Sequence, residues 1–225
     1  MKPTSRLLLA TAALLLGLVY VLPIWRVTLE APQYPGGIGM LIHVDTITGV
    51  HRHDLQNING LNHYIGMKPI VPDMIPELRW MPWLFGGLIG LGLLAAALGR
   101  RWALYAWTAL FAALLAVGFV DYYRWGYDYG HDLSPDAAIK VPGMAYQPPI
   151  IGSKVILNFT AHSWPDLGGL AVFAAFALAA GLCVYELRHR RREAAASAST
   201  AAPSAPPESR ARPDRAFAAP PEPAT

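Results

Sequence analysis

"WALYAWTALFAALLAVGFV", residues 102–120, decides how this chain must be read: the run contains no charged side chain. A helix needs about 20 consecutive apolar residues to cross the hydrocarbon core of a bilayer. Three more runs share the pattern. Residues 82–99, "PWLFGGLIGLGLLAAALG", and 167–185, "LGGLAVFAAFALAAGLCVY", carry no charge, and 5–24, "SRLLLATAALLLGLVYVLPI", carries only Arg6. Only 15% of the chain is charged, against about 25% in ordinary soluble domains. The missing charge is missing from these blocks, so they predict four transmembrane helices rather than one soluble core.

Lysine and arginine near span ends set orientation, because cytoplasmic ends carry the excess. Lys2 precedes the first run and Arg6 stands at its start, Arg100 and Arg101 join the second and third, and Arg188 with Arg190–Arg192 follows the fourth. Four crossings put all three clusters on one side, predicted to be the cytoplasm. The expected organisation is a cytoplasmic N-terminus with the first span (1–24) and a first periplasmic segment (25–81). Spans two and three follow with a short basic turn (82–120), then a second periplasmic segment (121–166), a fourth span (167–187) and a basic tail (188–225). The first run also resembles a signal peptide. Its apolar stretch continues through Val19, Tyr20, Val21 and Leu22 without a small-x-small cleavage site there, so it is read as an uncleaved anchor. From residue 193 alanine, serine and proline dominate, a composition too poor in apolar surface to offset ordering entropy, so disorder is expected there. Trp25, Trp80, Trp83, Tyr122, Tyr123, Trp125 and Trp164 cluster where outer span ends should meet headgroups. The net charge of +3 comes largely from the anchors and gives no argument for nucleic-acid binding.

The outer segments predict a small α+β periplasmic cap. Residues 26–31 and 39–49 are β-branched and bounded by glycine and proline, which suggests strands, with "YPGG" (34–37) as a turn between them. Residues 154–161 fit either a strand or an amphipathic entry to the last span. "HDLQNINGLNHYIGMKP", residues 53–69, reads as a short helix, started by Asp54 and ended by Gly66. Leu55, Ile58, Asn62 and Ile65 would share one face. His63 and Met67 would lie one turn apart, provided Gly66 does not turn the chain first.

Six of seven histidines fall in the outer segments, together with Met40, Met67, Met74 and Met144. Imidazole suits copper, zinc or iron, and thioether sulfur favours Cu(I). His53, His63, Met67, His131, Met144 and His162 are therefore the candidate metal ligands, with copper as the candidate cofactor. The bland alternative is that His53–Asp54 and His131–Asp132 are hydrogen-bonded surface pairs. Asn57, Asn59 and Asn62 would then tie the helix to neighbouring backbone. Other classes are argued against. The spans hold no histidine to ligate haem and no ionisable residue except at their ends, where a pump or transporter would need one inside. There is no P-loop and no nucleophile elbow. Cys183 has no partner with which to form a disulfide.

The stretches "HDLQNINGLNHYIGMKPI" (53–70), "YDYGHDLSPDAAIKVPGMAYQPPIIGSK" (127–154) and "LNFTAHSWPDLGG" (157–169) resemble a family of four-span bacterial membrane proteins. That family is associated with gene clusters for nitrous oxide reductase maturation. The resemblance covers roughly residues 20–170. It implies an accessory role in supplying or assembling periplasmic copper sites, with a periplasmic copper chaperone or cuproenzyme as partner. The expected function is thus an inner-membrane accessory protein that handles copper or assists maturation of a copper enzyme. One alternative is a metal-free scaffold docking a periplasmic partner. A second is a membrane-surface enzyme acting on a lipid or quinone through His131 and Asp132. No catalytic residue is assigned.

Overall fold

The computed structural model describes residues 1–201. The chain divides into two units, Met1–Arg188 and His189–Thr225. In chain order the elements are α1 (Pro3–Leu15, continued by a 3-10 turn Leu16–Tyr20), β1 (Trp25–Ala31), β2 (Tyr34–Ile42) and β3 (Ile47–Gly49). They continue with α2 (Asp54–Ile65), α3 (Glu77–Leu98), α4 (Arg101–His131), β4 (Gly152–Ile156), β5 (Phe159–Pro165) and α5 (Leu167–Ala201). The chain is mostly helical. Four helices are long and apolar enough to cross a membrane: α1 with its 3-10 extension, α3, α4 and α5.

Small residues let these helices approach closely, as they must where lipid is as apolar as leucine. Leu9, Ala12, Ala13 and Leu16 of α1 are fully buried and meet Leu88 and Ala95 of α3, Leu104 and Trp107 of α4, and Ala175 and Ala179 of α5. At Gly92 an added Cβ would lie 2.7 Å from the Ala13 Cβ and 2.9 Å from the Trp107 ring. Trp107 stays in this apolar setting because its Nε1 donates to the Leu88 carbonyl at 2.8 Å. Arg6 caps a neighbour. Its Nε donates to the Ala96 carbonyl at 2.9 Å and its Nη2 to that of Ala97 at 2.8 Å, while the N-terminal amine reaches the Gly99 carbonyl. Those are orphan groups at the C-terminus of α3, where positive charge is favoured.

The strands form one antiparallel sheet in the order β3-β2-β1-β5-β4. β1 follows α1 and β5 precedes α5, so the central pairing, Trp25↔Pro165 through Glu30↔Thr160, closes the two segments on each other. One sheet face carries Trp25, Val27, Ile38 and Met40 and packs on Ile58 of α2, on Ile70, Ile75 and Leu78, and on Phe119, Tyr122 and Trp125 of α4.

Several boundaries differ from the sequence expectation. "YPGG" lies within β2, and the turn is Pro32–Gln33. The glycines instead serve a bulge. Leu29 pairs Ile38 and Ala31 pairs Tyr34, leaving extra residues on β2, with Gly37 at φ +70°, a conformation glycine adopts without a Cβ penalty. Within the 121–166 segment α4 continues through His131. Its 31 residues make a helix about 46 Å long, beyond a ~30 Å hydrocarbon core, and its end packs under the sheet. Trp25 is buried in this core rather than placed as a headgroup anchor, whereas Trp80 and Trp83 are exposed. In the second unit helix continues to Ala201, with His189 Nδ1 2.9 Å from Glu193 Oε1 one turn on. Alanine-rich "REAAASASTA" has high helix propensity even without a core to pack on. The remainder of the tail expected to be disordered, 202–225, lies outside the described residues.

Candidate functional site

Residues 53–69 form the predicted helix, but its ends work differently. Asp54 does not cap α2. Its carboxylate turns back to accept from the Gly39 N–H at 3.0 Å and the His51 N–H at 3.1 Å, with His51 Nδ1 also at 3.0 Å. Asp54 is only 5% exposed. Burial alone would push its carboxyl up, but the two backbone donors and the His51 ring outweigh it and hold it below the usual carboxylate range. Ionised Asp54 therefore contributes stability that is complete above the ordinary carboxylate value of about 3.9. That contribution is lost as pH falls through the lowered native value. Asp54→Asn should cost about 1–2 kcal/mol at pH 7, the difference between charged and neutral hydrogen bonds. It should also flatten the acid limb of stability. Melting of wild type and variant in detergent between pH 7 and 3 checks this, and parallel acid limbs would refute the assignment.

The asparagines are consumed by backbone. Asn59 Oδ1 accepts from the Ile70 N–H at 2.7 Å while its Nδ2 donates to the Ile70 carbonyl at 3.0 Å. Asn62, 6% exposed, donates to the Lys68 carbonyl at 3.2 Å. Ile58 and Asn62 face the core, on the face where they were expected. Gly66, at φ +80°, ends the helix, and the Met67 N–H closes back on the Asn62 carbonyl at 2.8 Å. This is the Schellman pattern. Met67 thus leaves the helical path before reaching the position one turn beyond His63.

The second segment straps this turn. The Ser134 N–H donates to the Gly66 carbonyl at 2.8 Å and the Ile139 N–H to that of Tyr64 at 2.9 Å. Lys68 Nζ meets Asp132 Oδ2 at 2.6 Å, and that carboxylate raises the Lys68 ammonium above its usual range. A Cβ at Gly66 would meet the Ala137 Cβ at 2.9 Å, so this glycine serves both the turn and the close approach.

The six candidate ligands sit on different elements. His53 precedes α2 and lies 3.2 Å from Gln56 Oε1 through its Nδ1. His63 is exposed on α2 with its ring edge on Tyr64. Met67 is half-buried past the turn. His131 ends α4, stacked on Tyr127, with Nδ1 2.9 Å from the Tyr127 carbonyl. Met144 is exposed in the strap that follows. His162 lies on the outward sheet face opposite Thr28, its Nδ1 2.6 Å from Ser153 Oγ and its Nε2 3.7 Å from Glu30. Their donor types suit copper. Among the described residues no recorded polar or ring contact joins any two of them, and no three His, Cys, Asp or Glu side chains are grouped to hold one ion. Asp132, the other half of the candidate surface-enzyme pair, is taken up by Lys68.

Two features escaped the sequence. Ser163 is fully buried on β5, on the face opposite His162. It accepts from Trp25 Nε1 at 2.8 Å, lies 3.1 Å from the Tyr122 hydroxyl, and donates to the Ile150 carbonyl. This node joins β1, α4, β5 and the strand-entry loop, and only the antiparallel register brings its members together. The second feature is an apolar cavity of about 480 Å³ between α3, α4, α5 and the sheet. Comparison with known protein families, with curated proteins and with solved structures finds no match to this chain.

Proposed function

We propose that this is a multi-pass protein of the bacterial inner membrane, with both termini cytoplasmic, that assists maturation of a periplasmic copper enzyme. The resemblance read in the sequence points to nitrous oxide reductase as that enzyme. The sheet unit serves as a rigid docking platform for a periplasmic partner, a copper chaperone or the cuproenzyme itself. The supporting observation is how residues 53–69 use their polar groups. Asp54, Asn59 and Asn62 are spent on backbone bonds that fix α2, while His63 and Tyr64 are exposed on that fixed helix and His53 is exposed just before it. Polar side chains bonded to backbone in this way rigidify the surface they support.

A second reading, copper exchange by the chain itself, is favoured by the exposure of His53, His63, His131 and Met144. Anaerobic Cu(I) loading and desalting of the detergent-purified protein separates the two. The platform reading expects copper well below one equivalent and no difference between wild type and His63→Ala. Copper exchange expects about one Cu(I), with binding weakened roughly tenfold by His63→Ala and less by Met67→Leu. The accessory role itself is tested in cells. Full copper occupancy of the periplasmic reductase in a strain lacking this chain would sink both readings.

A further inference from the structure

The cavity lies at the sheet end of the helices, away from the α3–α4 turn at Gly99–Arg100. It is lined by the first half of α3, the second half of α4 and the start of α5, and Trp25 covers it from β1. Its volume of about 480 Å³ is within the roughly 300–1,000 Å³ of small-molecule sites. Phe85, Leu88, Phe111, Phe119 and Phe173 make its walls apolar. Trp80, Leu84 and Val117 stand at its mouth, 68%, 52% and 65% exposed. The cavity therefore opens sideways between α3 and α4, toward the hydrocarbon these helices are built to face.

Its lining is not wholly apolar. Glu77, in the first turn of α3, and Asp121, on α4, line the same cavity, close enough for their charges to act on each other, and Arg124 lies near Asp121. The cavity lining thus carries two negative groups beside a hydrocarbon-lined space, with Arg124 outside the lining but near Asp121. We propose that this cavity holds one acyl chain of a zwitterionic phospholipid whose head group bears a primary ammonium. The ammonium lies against Glu77 and Asp121, and the phosphate against Arg124. Charge complementarity selects this occupant. A net anionic head would meet two carboxylates, and an uncharged quinone ring would offer neither of them a positive charge. The inference is independent of the docking-platform role.

The test is lipid analysis of the detergent-purified full chain by native mass spectrometry, after extraction from membranes of known composition. Wild type should retain about one phospholipid, its amine-headed class enriched roughly threefold over its membrane share, as a partly exposed ion pair would give. Gly118 lines the cavity, and a Cβ there meets nothing within 4 Å. Gly118→Leu therefore starts from an unobstructed Cβ, in a helix that prefers leucine to glycine, and should narrow the cavity. It should lower retention about tenfold, because several methylenes lose their site. Glu77→Gln with Asp121→Asn should keep the lipid but abolish the head-group preference. The proposal is overturned by any of four results: lipid at micelle background in wild type, equal retention in a folded Gly118→Leu, an unchanged preference in the double variant, or a quinone or polypeptide as the occupant.

Discussion

Gly169→Ala should destabilise the protein by about 3 kcal/mol or more, at the upper end of what overpacking costs. The added Cβ would collide with the Ile24 carbonyl oxygen, and at the neighbouring Gly168 a Cβ would lie 2.7 Å from the Leu22 and Pro23 carbonyl oxygens. These obstacles are backbone, and backbone held in place. The Gly168 N–H donates to the Pro23 carbonyl at 2.9 Å and the Asp166 N–H to the Ile24 carbonyl at 3.0 Å. The first turn of α5 therefore rests directly on the link from α1 into β1, and no side chain can rotate away to relieve the strain. Gly181→Ala, in the same helix with nothing within 4 Å of its Cβ, should be neutral or stabilising by up to about 1 kcal/mol. Thermal unfolding of the two variants in detergent reads the contrast. Equal melting of Gly169→Ala and wild type would refute the close approach.

Arg101→Met should cost about 3 kcal/mol, the lower end of what leaving one member of a buried ion pair alone costs, because the Arg101 side chain itself is 30% exposed. Glu186 is 1% exposed; its carboxylate accepts from Ser5 Oγ at 2.6 Å and from Arg101 Nε at 2.8 Å. Three helices, α1, α4 and α5, are thereby pinned at one point. Replacing both charges, Arg101→Met with Glu186→Met, should recover most of the loss, since buried pairs replaced by apolar groups are often near neutral. Ser5→Ala removes one hydrogen bond to a charged acceptor and should cost about 1.5–3 kcal/mol. Denaturant titration of detergent-solubilised variants gives the cycle. A single Arg101→Met variant as stable as wild type would show that the pair does not bear on folding, and a double variant no better than the single would show that the loss does not come from an unpaired Glu186.

Arg6 and Arg101 illustrate what a charge count can and cannot say. As sequence they are anchors beside apolar runs, and their side of the membrane can be argued from number alone. That Arg6 caps the carbonyls of α3 and Arg101 meets Glu186 depends on which helix lies next to which. Hydropathy carries no information about neighbours, because every span is apolar all round. Tryptophan was ambiguous for the same reason. Trp80 and Trp83 are exposed, as boundary residues should be, while Trp25 and Trp107 are buried with their N–H groups satisfied.

The candidate site divides along a similar line. The α2 helix, its inward face with Ile58 and Asn62, and its stop at Gly66 were legible in "HDLQNINGLNHYIGM", because periodicity and a glycine with φ above zero are local properties. The service of Asn59 and Asn62 to the following backbone was legible as a class of bond, though not as particular partners. Asp54 was misread as a cap because the donors it serves, Gly39 and His51, lie before the helix, one of them on a strand.

The sequence by itself determined four membrane-long apolar helices, a helix over residues 54–65, a strand near 26–31 and strand character in 39–49, which the structure breaks at 43–46 between β2 and β3, since each follows from composition or period over a short window. Tertiary structure alone decided that β1 pairs β5, that α4 runs on through His131 to support the sheet, and that Ser163, Trp25 and Tyr122 share a node. It also decided that an apolar cavity, with Glu77 and Asp121 in its lining, lies between α3, α4, α5 and the sheet. These features join residues 40 to 140 positions apart. Their energy lies in contacts that exist only once the chain has closed on itself, and no local propensity encodes which distant partner will fill the other side.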